Sequence, residues 1–220
     1  MPTVSVIITT IGRPSLDDAI KSVRDQTYKD LELIIISDID RKLGGTRALN
    51  KGLDMAKGKY MAILDDDDEW ESKDKLERQV KFLDENPDYI AVGTNPQKGQ
   101  EEEIKINPKG TPFAHSSILF RRGLRYDERL PRAKDLELML RLSNLGKLRV
   151  IKDCNISIGH SCVDDLNKKI EDCYWHRKVI LIHRKMFPLW LISFIRSYLR
   201  EIKLKYYRNK NILWKRHNLT

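Results

Sequence analysis

Three short apolar runs constrain this chain more than any other feature: VSVIITT at residues 4–10, LELIIISD at 31–38 and YMAILD at 60–65. They are apolar almost throughout, as in strands buried on both faces of a parallel sheet. Parallel neighbours need a crossover, and the intervening stretches supply one. In RPSLDDAIKSVRDQT, Leu16, Ala19, Ile20 and Val23 share a helical face, and Ser15 is placed to cap with Asp18 three residues on. In GGTRALNKGLDMAKG, Ala48, Leu49, Gly52, Leu53 and Ala56 line a face, and Gly58 is expected to end the helix. The order β-α-β-α-β predicts an α/β fold, a Rossmann-like sandwich with a mostly parallel central sheet. Ligands of such folds bind in the crevice beyond the carboxyl ends of the strands.

The second run ends in Asp38 and the third runs into four aspartates, Asp65 to Asp68. Adjacent carboxylates repel, and a folded chain keeps them where water or a cation offsets the repulsion. Hard divalent ions, Mg²⁺ or Mn²⁺, take one or two carboxylates and complete their shell with substrate phosphates, so a nucleoside diphosphate or triphosphate is the implied ligand. The blander reading is an acidic turn opening the next helix, where carboxylates favour the dipole. An ATPase would also place an aspartate at the end of such a strand, but the chain has no G-x-x-x-x-G-K-[ST] phosphate loop.

Downstream, NPQKGQEEEIKINPKGTP reads as a polar loop or hairpin, HSSILFRR as a strand, KDLELMLRLSNLGK as an amphipathic helix stopped at Gly146, and LRVIKDCNISIGH as a further strand. The compact domain is expected to end near residue 162. Residues 1–95 form its nucleotide-binding half and 96–162 its acceptor half, followed by a helical extension over 163–220.

VSVIITTIGRPSLDDAIKSVRDQTYKDLELIIISD, followed by GGTRALNKGLDMAKGKYMAILDDDDEW and KLERQ, resembles the N-terminal half of family 2 glycosyltransferases, which have the GT-A fold. The likeness extends over roughly residues 3–160. It implies inverting transfer of a sugar from a nucleotide-sugar, most simply UDP-linked, to an acceptor hydroxyl. It also implies that Thr9, Thr10, Arg13 and Asp38 hold the nucleotide. Arg47 is placed to reach the pyrophosphate, with a solvated helix face as its blander use. The family's D-x-D maps onto Asp65, Asp66 and Asp67, with Asp67 on the metal and Asp65 nearer the ribose; because all four letters are Asp, a shift to Asp66 and Asp68 stays open. RYDERLPRAKDLELMLRLSNLGK resembles the stretch that carries the general base, which falls on Asp135, with Glu137 as the second choice. His160 resembles a late histidine at the diphosphate or metal, and His115 a residue on the acceptor side. The chain departs from the family at Thr9-Thr10-Ile11-Gly12, where an aromatic partner for the base is missing, and at Lys134, where a Glu is usual. A non-catalytic nucleotide-sugar or nucleic-acid binding module on the same fold is the alternative.

Composition matters most in the tail: residues 174–220 carry twelve Lys and Arg against one acidic residue, while residues 1–173 are nearly balanced at 29 and 31. Phe187, Trp190, Phe194, Tyr198, Tyr206, Tyr207 and Trp214 are interleaved with those cations. The apolar run over 186–195 is too short to span a bilayer, so the segment reads as an interfacial helix on an anionic membrane surface. Packing against the catalytic domain, or a homodimer through these helices, is the other use. Nucleic acid is disfavoured as a partner, because the body already accounts for a polyanionic ligand. Cys154, Cys162 and Cys173 show no C-x-x-C spacing, and the N-terminus shows no leader pattern. The expected location is the cytoplasm, peripheral to the membrane, with a saccharide or lipid-linked acceptor.

Overall fold

The computed structural model describes residues 1–40, 42–94, 102–104, 111, 113–152, 154–159, 166–186 and 190–217, without the side chains of 102, 104, 186, 190 and 208–217. Two compact units divide the chain, Met1–Ile106 with Thr111–Ser161, and Cys162–Thr220 with Asn107–Gly110.

In the first unit the chain runs β1 (Val4–Thr10), α1 (Leu16–Arg24), β2 (Leu31–Ser37), α2 (Gly45–Met55), β3 (Tyr60–Asp65), β4 (Glu69–Trp70), α3 (Lys75–Glu85), β5 (Tyr89–Gly93), β6 (Glu102–Ile104), β7 (Leu119–Arg121), α4 (Lys134–Leu145), β8 (Lys147–Val150) and β9 (Ile156–Ser157). Seven strands make one sheet in the order β2-β1-β3-β7-β5-β8-β6, and β4 pairs with β9 apart from it. β1 is parallel to both β2 and β3, and β5 is parallel to β8. β7 runs antiparallel to β3 and β5, and β6 antiparallel to β8, so five of the seven strands share one direction.

The absence of alternation in β1 and β3 follows from helices packing on both faces. Ile7, Met61 and Ile63 face α2 and α4 through Leu49, Leu53, Leu138 and Met139. Val6, Ile8, Ala62 and Leu64 lie in the opposite cluster with Val23, Leu76, Val80 and Leu83 of α1 and α3.

The structure corrects four local expectations. Ser15 makes no side-chain cap; its hydroxyl donates instead to the Asp66 carbonyl (2.8 Å). α2 stops at Met55, where Ala56 turns to an extended conformation, so Gly58 does not end it. Gly58 is needed for close approach, since a Cβ there would fall 2.6 Å from the Ser5 nitrogen. His115–Ser117 form a 3-10 turn ahead of a shorter β7. The strand expected over LRVIKDCNISIGH is divided into β8 and β9.

One buried cation has a thermodynamic signature. Lys75 is fully buried, its Nζ 4.0 Å from the Trp70 ring centroid and hydrogen-bonded to Gln79 Oε1 (2.8 Å). Burial pulls its pKa from 10.5 down to about 7, only partly countered by Cys154. Between those values the unfolded chain binds more protons than the native one, so stability rises with pH across that window and is flat below it. Comparing urea unfolding of wild type and Lys75→Met from neutral pH to about pH 10, the wild type should gain on the order of 3–5 kcal/mol that the variant does not.

In the second unit, α5 (Leu166–Ile182) and α6 (Trp190–His217) pack along each other. Arg177 is paired with Glu201, and both side chains are about nine-tenths buried. Among the described residues, no helix is long and apolar enough to cross a membrane.

Candidate active site

The four aspartates begin at the last residue of β3 and are divided by the burial of their side chains. Asp66 is turned inward, its side chain 1% exposed. It accepts from Thr10 Oγ1 (2.6 Å), the Ile11 nitrogen (3.3 Å) and Arg13. Asp68 is also buried, accepting from the Ser116 hydroxyl and from the Gly159 nitrogen (2.8 Å). Asp65 and Asp67 reach solvent, with side chains 37% and 17% exposed. Thr10 and Asp66, expected at the nucleotide, are hydrogen-bonded to each other. The carboxylates of Asp66 and Asp68 both accept from protein donors.

Arg13 offsets part of the repulsion by pairing with Asp66 and lying 3.8 Å from Asp67. Burial pushes Asp65 up, but His115, Lys134 and Arg13 together hold it well below the usual carboxylate range. Asp68 is raised, first by burial and also by the charges of Asp65 and Asp67, although Ser116 and Gly159 stabilise its ionised form. The chain crosses itself closely here: a Cβ at Gly159 would fall 2.0 Å from the Asp67 carbonyl oxygen, so glycine is required.

The antiparallel entry of β7 assembles the rest. Because β7 runs against β3, the turn that precedes it lies beside the carboxyl end of β3, bringing His115 and Ser116 to the aspartates. His115 Nδ1 is 3.2 Å from Asp65 Oδ2, and Nε2 is 2.8 Å from Tyr126 Oη. Burial, reinforced by the charges of Asp65 and Asp135, raises the Tyr126 phenol well above its ordinary pKa and keeps it protonated. Tyr126 Oη, the two ring nitrogens of His115 and Asp65 Oδ2 thus form one continuous hydrogen-bonded chain. Asn50 fixes Tyr126 in turn, giving Nδ2 to its carbonyl (3.0 Å) and taking its N–H (2.8 Å). Tyr126, Ser116 and Asn50 escaped the sequence reading. Tyr126 had one usable signal, its place at the start of the stretch RYDERLPRAKDLELMLRLSNLGK that resembles the family's base-bearing segment.

Asp135 lies in the first turn of α4, and its charge and that of Asp65 both bear on the Tyr126 phenol. Ala133, the residue before the helix, is left-handed at φ 54°, a conformation costing about 1–2 kcal/mol for alanine. Lys134 bears on Asp65, and its Nζ is 3.2 Å from where a Cβ at Gly45, the first residue of α2, would stand. Glu137, the second candidate base, is instead buried in an ion pair, bonded to Arg141 at 2.6 and 2.8 Å.

The remaining expected residues are scattered. Thr9 stands opposite Asp65 in the β1–β3 register and is partly exposed. Asp38 directly follows β2, with its oxygens accepting from the Leu43 (2.9 Å) and Gly44 (2.8 Å) nitrogens, bracing the loop into α2. Arg47 is largely exposed and lies 3.5 Å from Glu128. His160 lies outside the described residues. Among those that are described, no three His, Cys, Asp or Glu side chains form a ready metal cage.

The family model "Glycosyl transferase family 2" matches residues 38–139, which include β3, the aspartates and the start of α4. An uncharacterized glycosyltransferase of Methanocaldococcus jannaschii is 29% identical, over 69% of this chain and 69% of its own. Glycosyltransferase EpsE of Bacillus subtilis is 30% identical, over 66% of this chain and 68% of its own. The GalNAc(5)-diNAcBac-PP-undecaprenol beta-1,3-glucosyltransferase of Campylobacter jejuni is 37% identical over 31% of each chain. Among solved structures, the mannosyltransferase PcManGT of Pyrobaculum calidifontis, in complex with GDP-Man and Mn²⁺, superposes with TM-score 0.67 and 17% identity, over 90% of this chain and 69% of its own. TarS of S. aureus in complex with UDP-GlcNAc superposes with TM-score 0.61 and 17% identity, over 91% of this chain and 73% of its own. These structural likenesses are of the GT-A fold, and with the relatedness in sequence they place the chain: it belongs to the family 2 glycosyltransferases.

Proposed function

We propose that this glycosyltransferase binds a nucleotide-sugar, with UDP as the first nucleotide to try, and transfers the sugar with inversion to a hydroxyl of a saccharide or lipid-linked acceptor. The observation that supports the reading is that Asp65 and Asp67 keep solvent-exposed carboxylates at the end of β3 while the charges of Asp65 and Asp135 both bear on the buried Tyr126 phenol. Two outward carboxylates beside an open crevice suit Mg²⁺ or Mn²⁺, which need only that many protein ligands when diphosphate oxygens complete the shell. Such an ion would be held by Asp67 and Asp65, and its chemistry there is to neutralise the departing diphosphate.

The chain's own residues do the rest. Thr9 borders the donor, His115 holds Asp65 ionised and oriented, and Arg13 and Lys134 add positive charge where the diphosphate develops its own negative charge. Asp135 takes the acceptor proton as the hydroxyl attacks the anomeric carbon from the face opposite the diphosphate. Residues 1–162 form the catalytic domain in this reading, with 1–95 serving the donor and 96–162 the acceptor. The complexes of PcManGT with GDP-Man and Mn²⁺, and of TarS with UDP-GlcNAc, support the donor class and the metal. The undecaprenol-linked substrate in the name of the Campylobacter relative supports the lipid-linked acceptor.

The reading also puts the protein at the cytoplasmic face of a membrane. Leu191, Ile195, Tyr198 and Ile202 form an exposed stripe on α6, as an interfacial helix requires. Phe187 and the side chains of Trp190 and Trp214 lie outside the described residues. A panel of nucleotide-sugars, each assayed for nucleoside diphosphate release with Mn²⁺, with Mg²⁺ and with a chelator, tests the chemistry. At least one donor should turn over with metal and lose nearly all turnover with the chelator; metal-independent turnover, or binding without turnover across the panel, would sink the proposal.

A further inference from the structure

Asp65 is tied to the protein far more lightly than its inward neighbours. Asp66 accepts from three groups and Asp68 from two. The Asp65 carboxylate has His115 Nδ1 at 3.2 Å from Oδ2, and among the described residues no other group hydrogen-bonds to it, so Oδ1 stays free for a ligand. One hydrogen bond orients a carboxylate only if the partner is itself fixed, and His115 is. Its side chain is 11% exposed, its Nε2 is bonded to Tyr126 Oη, and the two rings meet edge to face with centroids 5.8 Å apart. An imidazole bonded at one nitrogen can turn about its Cβ–Cγ bond; bonded at both, it loses a partner whichever way it turns. Tyr126 is anchored in turn. Its ring lies in the apolar cluster with Leu138 and Met139, Asn50 of α2 holds its backbone at both N–H and carbonyl, and Thr46 of α2 donates to the Leu130 carbonyl (2.9 Å) in the same segment.

We infer that Tyr126 is a positioning residue of the donor site: by holding the His115 ring it keeps the Asp65 carboxylate in one orientation before the nucleoside diphosphate arrives. The inference rests on the donor reading of Asp65 given above. A carboxylate already oriented spares the ligand the cost of ordering it, so the contribution of Tyr126 is to affinity. It acts on donor and transition state alike, since Asp65 is engaged in both, and its loss therefore raises the KM for the donor and leaves kcat nearly unchanged. A tyrosine that merely filled the apolar cluster would behave otherwise, because phenylalanine fills the same space and lacks only the hydroxyl.

The test is a double-mutant cycle on the full chain, read by calorimetric titration of UDP and of GDP, each with Mn²⁺. Tyr126→Phe should weaken binding of the preferred nucleotide about tenfold, the size of loss expected when the group that orients a ligating side chain is removed. Turnover of the best donor at saturation should stay within about twofold. His115→Ala should cost at least as much affinity, and Tyr126→Phe/His115→Ala should bind within about twofold of His115→Ala alone, because the phenol acts through the ring. In the free protein the ring nitrogen resonances of His115 should shift in Tyr126→Phe, chiefly at Nε2. Unchanged affinity in Tyr126→Phe, a loss confined to kcat, losses that multiply in the double variant, or unmoved His115 resonances would each overturn the inference alone. Wild type that binds neither nucleotide with Mn²⁺ overturns the donor reading and the inference together.

Discussion

Asp135→Asn should lower the rate of sugar transfer by about 10² to 10⁴-fold, the usual range for losing a general base. Nucleotide-sugar affinity should change by no more than about twofold. Asn keeps the shape of Asp and removes the proton acceptor, so the loss should appear in kcat. Single-turnover transfer with the best donor, beside calorimetric titration of the nucleoside diphosphate with metal, separates the two effects. An unimpaired single-turnover rate would dismiss Asp135 as the base. Glu137 is an unpromising substitute, because Arg141 holds it and it is buried.

The second large effect is on stability and divides the aspartate run. Asp66→Ala removes the acceptor for Thr10, the Ile11 nitrogen and Arg13 at a site that water does not reach. Stranding buried donors costs about 1–3 kcal/mol each, and Arg13, one-third exposed, recovers part of its loss by hydration, so a fall of about 2–4 kcal/mol is expected. Asp67→Asn, on an outward side chain that also feels like-charge neighbours, should move stability by less than about 1 kcal/mol while abolishing metal-dependent donor binding. Urea unfolding with unchanged m-values measures the first contrast. If the two substitutions proved equally destabilising, the inward and outward assignment of these carboxylates would be wrong.

Much of the frame was legible because it rests on strong local signals. Strands buried on both faces wrote β1 and β3 as unbroken apolar runs, and helical periodicity marked α1, α2 and α4. The aspartates announced a site through electrostatics, since four adjacent charges at a strand end demand compensation. Their division was not legible: four identical letters carry no sign of which side chain turns inward, and that is decided by Thr10, Arg13, Ser116 and Gly159, all remote in sequence. The reversed direction of β7 was equally hidden, because pairing sense belongs to the neighbours and not to the run LFRR. Gly58 and Ser15 misled for a related reason. Each is a good helix-end residue by local rules, and each was drawn off by a tertiary partner.

The crossing of Gly159 over the aspartate run also bears on how the protein is made. The partners of Asp66 lie 53 to 56 residues from it, Ser116 lies 48 from Asp68, and Gly159 lies 91 from Asp68. Contacts of such separation form late, after the loop entropy between them has been overcome. During vectorial synthesis the acidic run leaves the ribosome with its brace at residues 10 to 13 already made, but Asp68 has no Gly159 N–H until most of the first unit has emerged. A chain interrupted before that point can fold β1 to β3 and still present a half-neutralised acidic loop. Completion of the last short strand is thus the step that brings the final backbone donor to the acidic run.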